Sequence, residues 1–168
     1  DKITNRVSVL STGLNIDPIV VVQKAVPGLY SDISSIEIDT YLAETAAALT
    51  VEHPDYSYLA ARIKVNSLHK ETPGFIIATK NLYDDGLLRE EYYKKVMENA
   101  DLIESVIDYD KDYTFDYFAL TTLIRAYLLK FDNKTIERPQ DLWMRVTLTV
   151  TGNEFNLDKI KETYRSLS

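Results

Sequence analysis

Apolar residues recur at helical rather than strand spacing along most of the chain. In DKITNRVSVLSTGL, Ile3, Val7, Leu10 and Leu14 fall on one face, with Asp1 near a helix start. Asp17-Pro18 reads as a cap with proline at the first helical position, opening IVVVQKAV, which Pro27-Gly28 closes. Ser34 and Glu37 have capping-box spacing, and the Ala- and Leu-rich helix they begin is predicted to reach about Val51. Asp55 follows Pro54 and starts YSYLAARIKVNSLHK, in which Tyr56, Leu59, Ile63 and Ser67 are expected to face inward. Four helices with short connections predict a compact bundle ending near Lys70.

KETPG, residues 70 to 74, is the clearest break and the expected domain boundary. Beyond it FIIATKNLY, EEYYKKVMENA and DLIESVIDY read as shorter helices, punctuated by Asp85-Gly86 and Asn99. TFDYFALTTLIRAYLLK reads as an amphipathic helix of about four turns. FDNKTIERPQ reads as a turn with extended flanks, because Asp132-Asn133 is good turn chemistry. WMRVTLTVT is ambiguous: its β-branched residues favour a strand, while Pro139 favours a helix start. NLDKIKETYRSLS closes the chain as a helix with a polar face. The expected fold class is therefore mostly α.

With 168 residues, the chain suits one domain or two small helical ones. Its 45% apolar and 27% charged residues are those of a soluble globular protein. No apolar run approaches the roughly 20 residues a membrane helix needs, and no signal peptide opens the chain, so no membrane partner is expected. Opening at Asp1, inside a predicted helix, it reads as a piece of something longer. The net charge of −7 comes without a basic stripe, which argues against nucleic acid as a partner. The absence of cysteine removes disulfides, thiolate metal sites and thiol or thiyl chemistry from these residues. It favours a reducing, cytoplasmic setting.

Several motifs fail on inspection. Asp108, Asp110 and Asp112 occupy alternating positions like those of a calcium loop, but the sixth and twelfth positions hold Tyr113 and Ala119 instead of glycine and glutamate. The segment reads instead as a solvated acidic connector capping the next helix. His53 is expected to cap or pack in a turn, and neither it nor His69 has metal-ligand spacing to an acid. The scattered glycines form no phosphate-cradling loop. Tyr56, Tyr58, Tyr117 and Tyr127 sit at helical spacing beside aliphatic residues, which reads as core and interface packing rather than a radical relay. Asp39 and Lys70 each have an ordinary explanation, as charges that complement a helix dipole.

Six stretches alter that weighing. DKIT…GLN, GLYSDISSIEIDTYLAETAAALT, HPDYSYLAARIKVNSLHKET, DYDKDYTFDYFALTTLIRAYLLK, ERPQDLWMRV and ETYRSLS occur in this order. Together they resemble the N-terminal region of the large subunit of class I ribonucleotide reductases. The resemblance implies an ATP-cone helical bundle over residues 1–71, without its hairpin lid, and a helical domain over 72–168 that leads into the reductase barrel. It implies a helix for WMRVTLTVT. It also implies an allosteric site for ATP or dATP, with magnesium, at Asp1, Lys2, Ile3, Ser35, Asp39 and Lys70. Lys2 and Lys70 would meet phosphates, Ile3 would line the base pocket, and Asp39 would accept from the nucleoside. Ser35 stands where a threonine is usual. The parent would be a thioredoxin- or glutaredoxin-dependent oxidoreductase making DNA precursors, with a radical-bearing small subunit and further large-subunit copies as partners. Lacking the catalytic cysteines, this portion would itself be inactive. The rival reading is a helical interaction or oligomerisation module with no nucleotide; a calcium module is a distant third.

Overall fold

The computed structural model describes residues 2–168, which form two compact units: residues 2–70 with 112–122, and residues 71–111 with 123–168. The first unit is built on α1 (Lys2–Leu10), α2 (Pro18–Ala25), α3 (Ser35–Ala48) and α4 (Asp55–Glu71). Asp17 caps α2 by accepting from the Ile19 amide, with Pro18 in the first turn. Ser34 and Glu37 close the capping box of α3, the Ser34 amide donating to Glu37 Oε2 at 3.0 Å and the Glu37 amide to Ser34 Oγ at 3.2 Å. The apolar faces of the four helices then meet. Val7, Val21, Ala25, Leu42, Ala46, Leu59 and Ile63 form the buried core, with Ile3, Leu10 and Leu14 packed against it. The small residues Ala43, Ala46 and Ala60 let helices approach closely, and the burial supplies the main driving force.

The second unit contains α5 (Phe75–Asp84), α6 (Glu90–Glu98), α7 (Ala100–Val106), α9 (Pro139–Val150) and α10 (Leu157–Leu167). Its core joins Phe75, Val96, Ile103, Met144, Leu148, Ile160 and Tyr164. Gly86, at φ +74°, ends α5: its amide returns to Tyr83 O and that of Leu87 to Leu82 O, a left-handed stop that favours glycine. A short hairpin pairs β1 (Lys130–Phe131) with β2 (Lys134–Thr135). Asp132 and Asn133 sit between them at φ 53° and 62°, the left-handed pair that a tight hairpin turn requires.

WMRVTLTV lies within α9, with the following Thr151 as its C-cap, as the resemblance implies and against its strand propensity. Pro139 starts that helix, and Asp141 Oδ2 accepts from the Arg138 amide at 2.9 Å. The hydroxyls of Thr149 and Thr151 bond back to carbonyls four residues earlier, which accommodates them within a helix.

Three expectations need correction. The helix predicted from Thr114 to Lys130 is shorter: α8 spans Tyr117–Ala126. Asp116 Oδ1 accepts from the Ala119 amide and starts it, while the Leu129 amide leaves for Glu137 Oε2. Tyr127 is accordingly not core but 61% exposed, and Tyr58 is also exposed. Finally, the acidic stretch is not uniformly solvated, since Asp112 is fully buried.

Candidate functional site

Asp39 is the most conspicuous charge of the first unit. It lies one turn into α3, only 1% exposed, in a position where an isolated carboxylate is costly. Two other helices compensate it. Arg6 of α1 brings Nη2 to 2.5 Å from Asp39 Oδ1, and Lys70, near the end of α4, brings Nζ to 3.4 Å from Oδ2. Arg6 is partly buried, whereas the Lys70 side chain is half exposed. The Arg6 contact has the distance of an ion pair without the alignment of a hydrogen bond, leaving Oδ1 with a compensating charge but no well-aimed donor.

The structure thus brings together two of the residues singled out from sequence, Asp39 and Lys70. Lys2 is exposed at the start of α1, and Ile3 packs against the core beside it. Ser35 is exposed at the first position of α3, one turn before Asp39 on the same side of the helix. Asp1 lies outside the described residues. Arg6 was not anticipated. The signal was available: it stands four residues after Lys2, so both cations rise from one face of α1.

Chemically, the cluster is a carboxylate held between a guanidinium and an ammonium, with another lysine nearby in sequence. Such a donor set fits a ligand carrying negative charge at one end and a hydroxyl or amine donor at the other. In this conformation Asp39 is sealed, so a ligand atom reaches it only by displacing Arg6 or Lys70.

A second buried acid lies against the same last turn of α4 that carries Lys70. Asp112 Oδ2 accepts from His69 Nε2 at 2.7 Å, and the Tyr113 and His69 rings meet in a T-shaped arrangement at a centroid distance of 5.5 Å. The 43 residues separating the pair conceal it from any spacing argument. His53 behaves as expected, its Nδ1 accepting from the Asp55 amide at 3.1 Å.

The second unit holds a cavity of about 400 Å³ lined by Leu88, Tyr92, Lys95, Arg145 and Leu148 among others. Its two partly or fully buried cations are already engaged: Lys95 with the carbonyls of Leu148 and Gly152, and Arg145 with Glu137 at 2.6 Å. No group of three or more His, Asp or Glu side chains placed to hold a metal occurs among the described residues. No helix among them is long and apolar enough to cross a membrane.

Comparison with known proteins decides the family. The profile described as "Ribonucleotide reductase, all-alpha domain" matches residues 113–168. The ribonucleoside-diphosphate reductase large subunit of Caenorhabditis elegans is 40% identical across the whole chain, which spans 23% of that relative. The large chain of Schizosaccharomyces pombe is 40% identical, again over the whole chain and 22% of its own length. The large subunit of Vaccinia virus is 39% identical, with 23% of its length spanned. The chain belongs to the ribonucleotide reductase large-subunit family. It spans less than a quarter of the length of these reductase subunits, and the all-α architecture agrees with the family domain it matches.

Proposed function

We propose that this chain is the N-terminal regulatory portion of a ribonucleoside-diphosphate reductase large subunit. In this reading the parent reduces ribonucleoside diphosphates to deoxyribonucleotides in the cytoplasm, with a small subunit supplying the radical. The first unit belongs to an ATP-cone that binds ATP as activator and dATP as inhibitor, through Asp1, Lys2, Ile3, Ser35, Asp39 and Lys70. The division near residue 71 separates that regulatory bundle from the helical lead-in to the barrel.

The observation that carries this reading is the convergence of α1, α3 and α4 on one buried carboxylate, flanked by cations that remain accessible. Lys70 and Lys2 suit a polyphosphate, Arg6 can turn from Asp39 toward it, and the released Asp39 can then accept from a sugar hydroxyl or base amine. Two nucleotides that differ by one hydroxyl bias an oligomer only through contacts that differ between its states. Asp39, a carboxylate with exchangeable partners, is suited to make that difference.

Steady-state turnover of the full-length subunit, titrated with dATP and separately with ATP, tests the assignment. Asp39→Asn is expected to blunt inhibition by dATP and spare activation by ATP. Unchanged inhibition would remove Asp39 from the site.

A further inference from the structure

Residues 112–122 belong to the first unit although the chain on both sides of them, Lys111 and Leu123, belongs to the second. What fastens them is specific. At one end, Asp112 is fully buried and paired with His69 at 2.7 Å, with the Tyr113 ring T-shaped to the same imidazole. At the other, the Tyr117 amide donates to Ser57 Oγ at 3.1 Å, and Tyr117 packs against the bundle core. Ser57 and His69 lie near opposite ends of α4 (Asp55–Glu71), so the segment is strapped to that one helix twice.

His69 is the residue immediately before Lys70, in the same last turn of α4. A displacement of Lys70 toward a bound anion moves that turn and the imidazole with it. Asp112 responds to the movement, because a carboxylate with no exposed surface is sensitive to the withdrawal of any one of its partners, and His69 is a close one at 2.7 Å. Resting on the nucleotide reading of the Asp39–Lys70 cluster, we propose that the His69–Asp112 pair is the positioning element coupling occupancy of that cluster to segment 112–122. The strap is then one of two discrete arrangements that the ligand selects, and the coupling is reciprocal: fixing the strap changes the affinity of the cluster.

The test is hydrogen exchange of the 112–122 amides in the full-length subunit, with and without Mg–ATP. In the unmodified protein ATP is expected to change the exchange rate of the Tyr117 amide by about fivefold or more. In Asp112→Asn, ATP still binds within about twofold of its original affinity but leaves these amides unmoved. His69→Gln, which keeps a donor for Asp112, retains the response; His69→Leu abolishes it. Circular dichroism melts establish that each variant is folded. Transmission that persists in both Asp112→Asn and His69→Leu overturns the proposal, as does ATP binding in the unmodified protein with no response in 112–122. A second arm needs no nucleotide: Lys70→Ala perturbs the same amides in the parent background but not in Asp112→Asn. ATP that fails to bind removes the nucleotide reading alone; a silent second arm removes the coupling alone.

Discussion

Tyr109 donates its hydroxyl to Asp141 Oδ1 at 2.6 Å, and its phenol oxygen accepts from the Phe75 amide at 3.1 Å. One phenol thereby ties the start of α5 to the first turn of α9. Arg138 covers it, its guanidinium 4.7 Å from the ring centroid and bonded to Thr72. Burial raises the Asp141 pKa to about 6, against the lowering effects of Tyr109 and the Arg138 amide.

The pH consequence has a definite sign. A carboxyl whose native pKa lies above its unfolded value holds a proton in the folded state that the unfolded chain lacks. Stability contributed by Asp141 is therefore lowest above pH 6 and rises as pH falls toward 4. A shift of this size corresponds to at most about 3 kcal/mol. Urea unfolding of the chain and of Asp141→Asn at pH 7, 5 and 4 should show the stability difference between them changing by about 1 to 3 kcal/mol in that direction. Parallel pH curves would mean that Asp141 titrates normally.

Lys95 offers a second measurable case. Its ammonium, 8% exposed, donates to Leu148 O at 2.8 Å and to Gly152 O, closing the C-terminal end of α9. Burial, and then the nearby charge of Lys159, lowers its pKa, so the cation is held at a cost that the two carbonyls and the helix dipole offset. Lys95→Met keeps the stem and removes the donors. It is expected to destabilise by about 1 to 2 kcal/mol in urea unfolding at pH 7. A variant as stable as the parent would show that water serves those carbonyls equally well.

Local signals in the sequence were reliable where the physics is local. The capping box at Ser34 and Glu37, the proline at Pro18 and the Asp132-Asn133 turn all operate within a few residues, and each is present in the structure as read. The stretch at 143–151 could not be resolved that way, because β-branching and a helix-starting proline pull in opposite directions. Burial of a broad face including Leu142, Met144, Thr147 and Leu148 settles it in favour of α9. Asp112 and Arg6 were misjudged or missed for a different reason. A charged residue is drawn out of solvent by a partner that the fold supplies, His69 for one and Asp39 for the other, and no spacing rule reaches across those distances.

The unequal grip of Arg6 and Lys70 on Asp39 yields the last prediction. Both face one carboxylate, yet Arg6 is closer and more buried, and Lys70 is half exposed at 3.4 Å. Removing Arg6 leaves the buried Asp39 with a single, solvent-screened partner, so Arg6→Ala should cost about 2 to 4 kcal/mol. Lys70→Ala removes a contact that water already weakens and should cost about 1 kcal/mol or less. Replacing Asp39 as well separates the loss of a pair from the stranding of a charge. If stranding dominates, Arg6→Ala with Asp39→Asn will be more stable than Arg6→Ala alone, and a double-mutant cycle in urea will show a coupling of about 1 to 3 kcal/mol. Additive losses would mean that Arg6 acts through its packing against the bundle and that the carboxylate is stabilised by other groups.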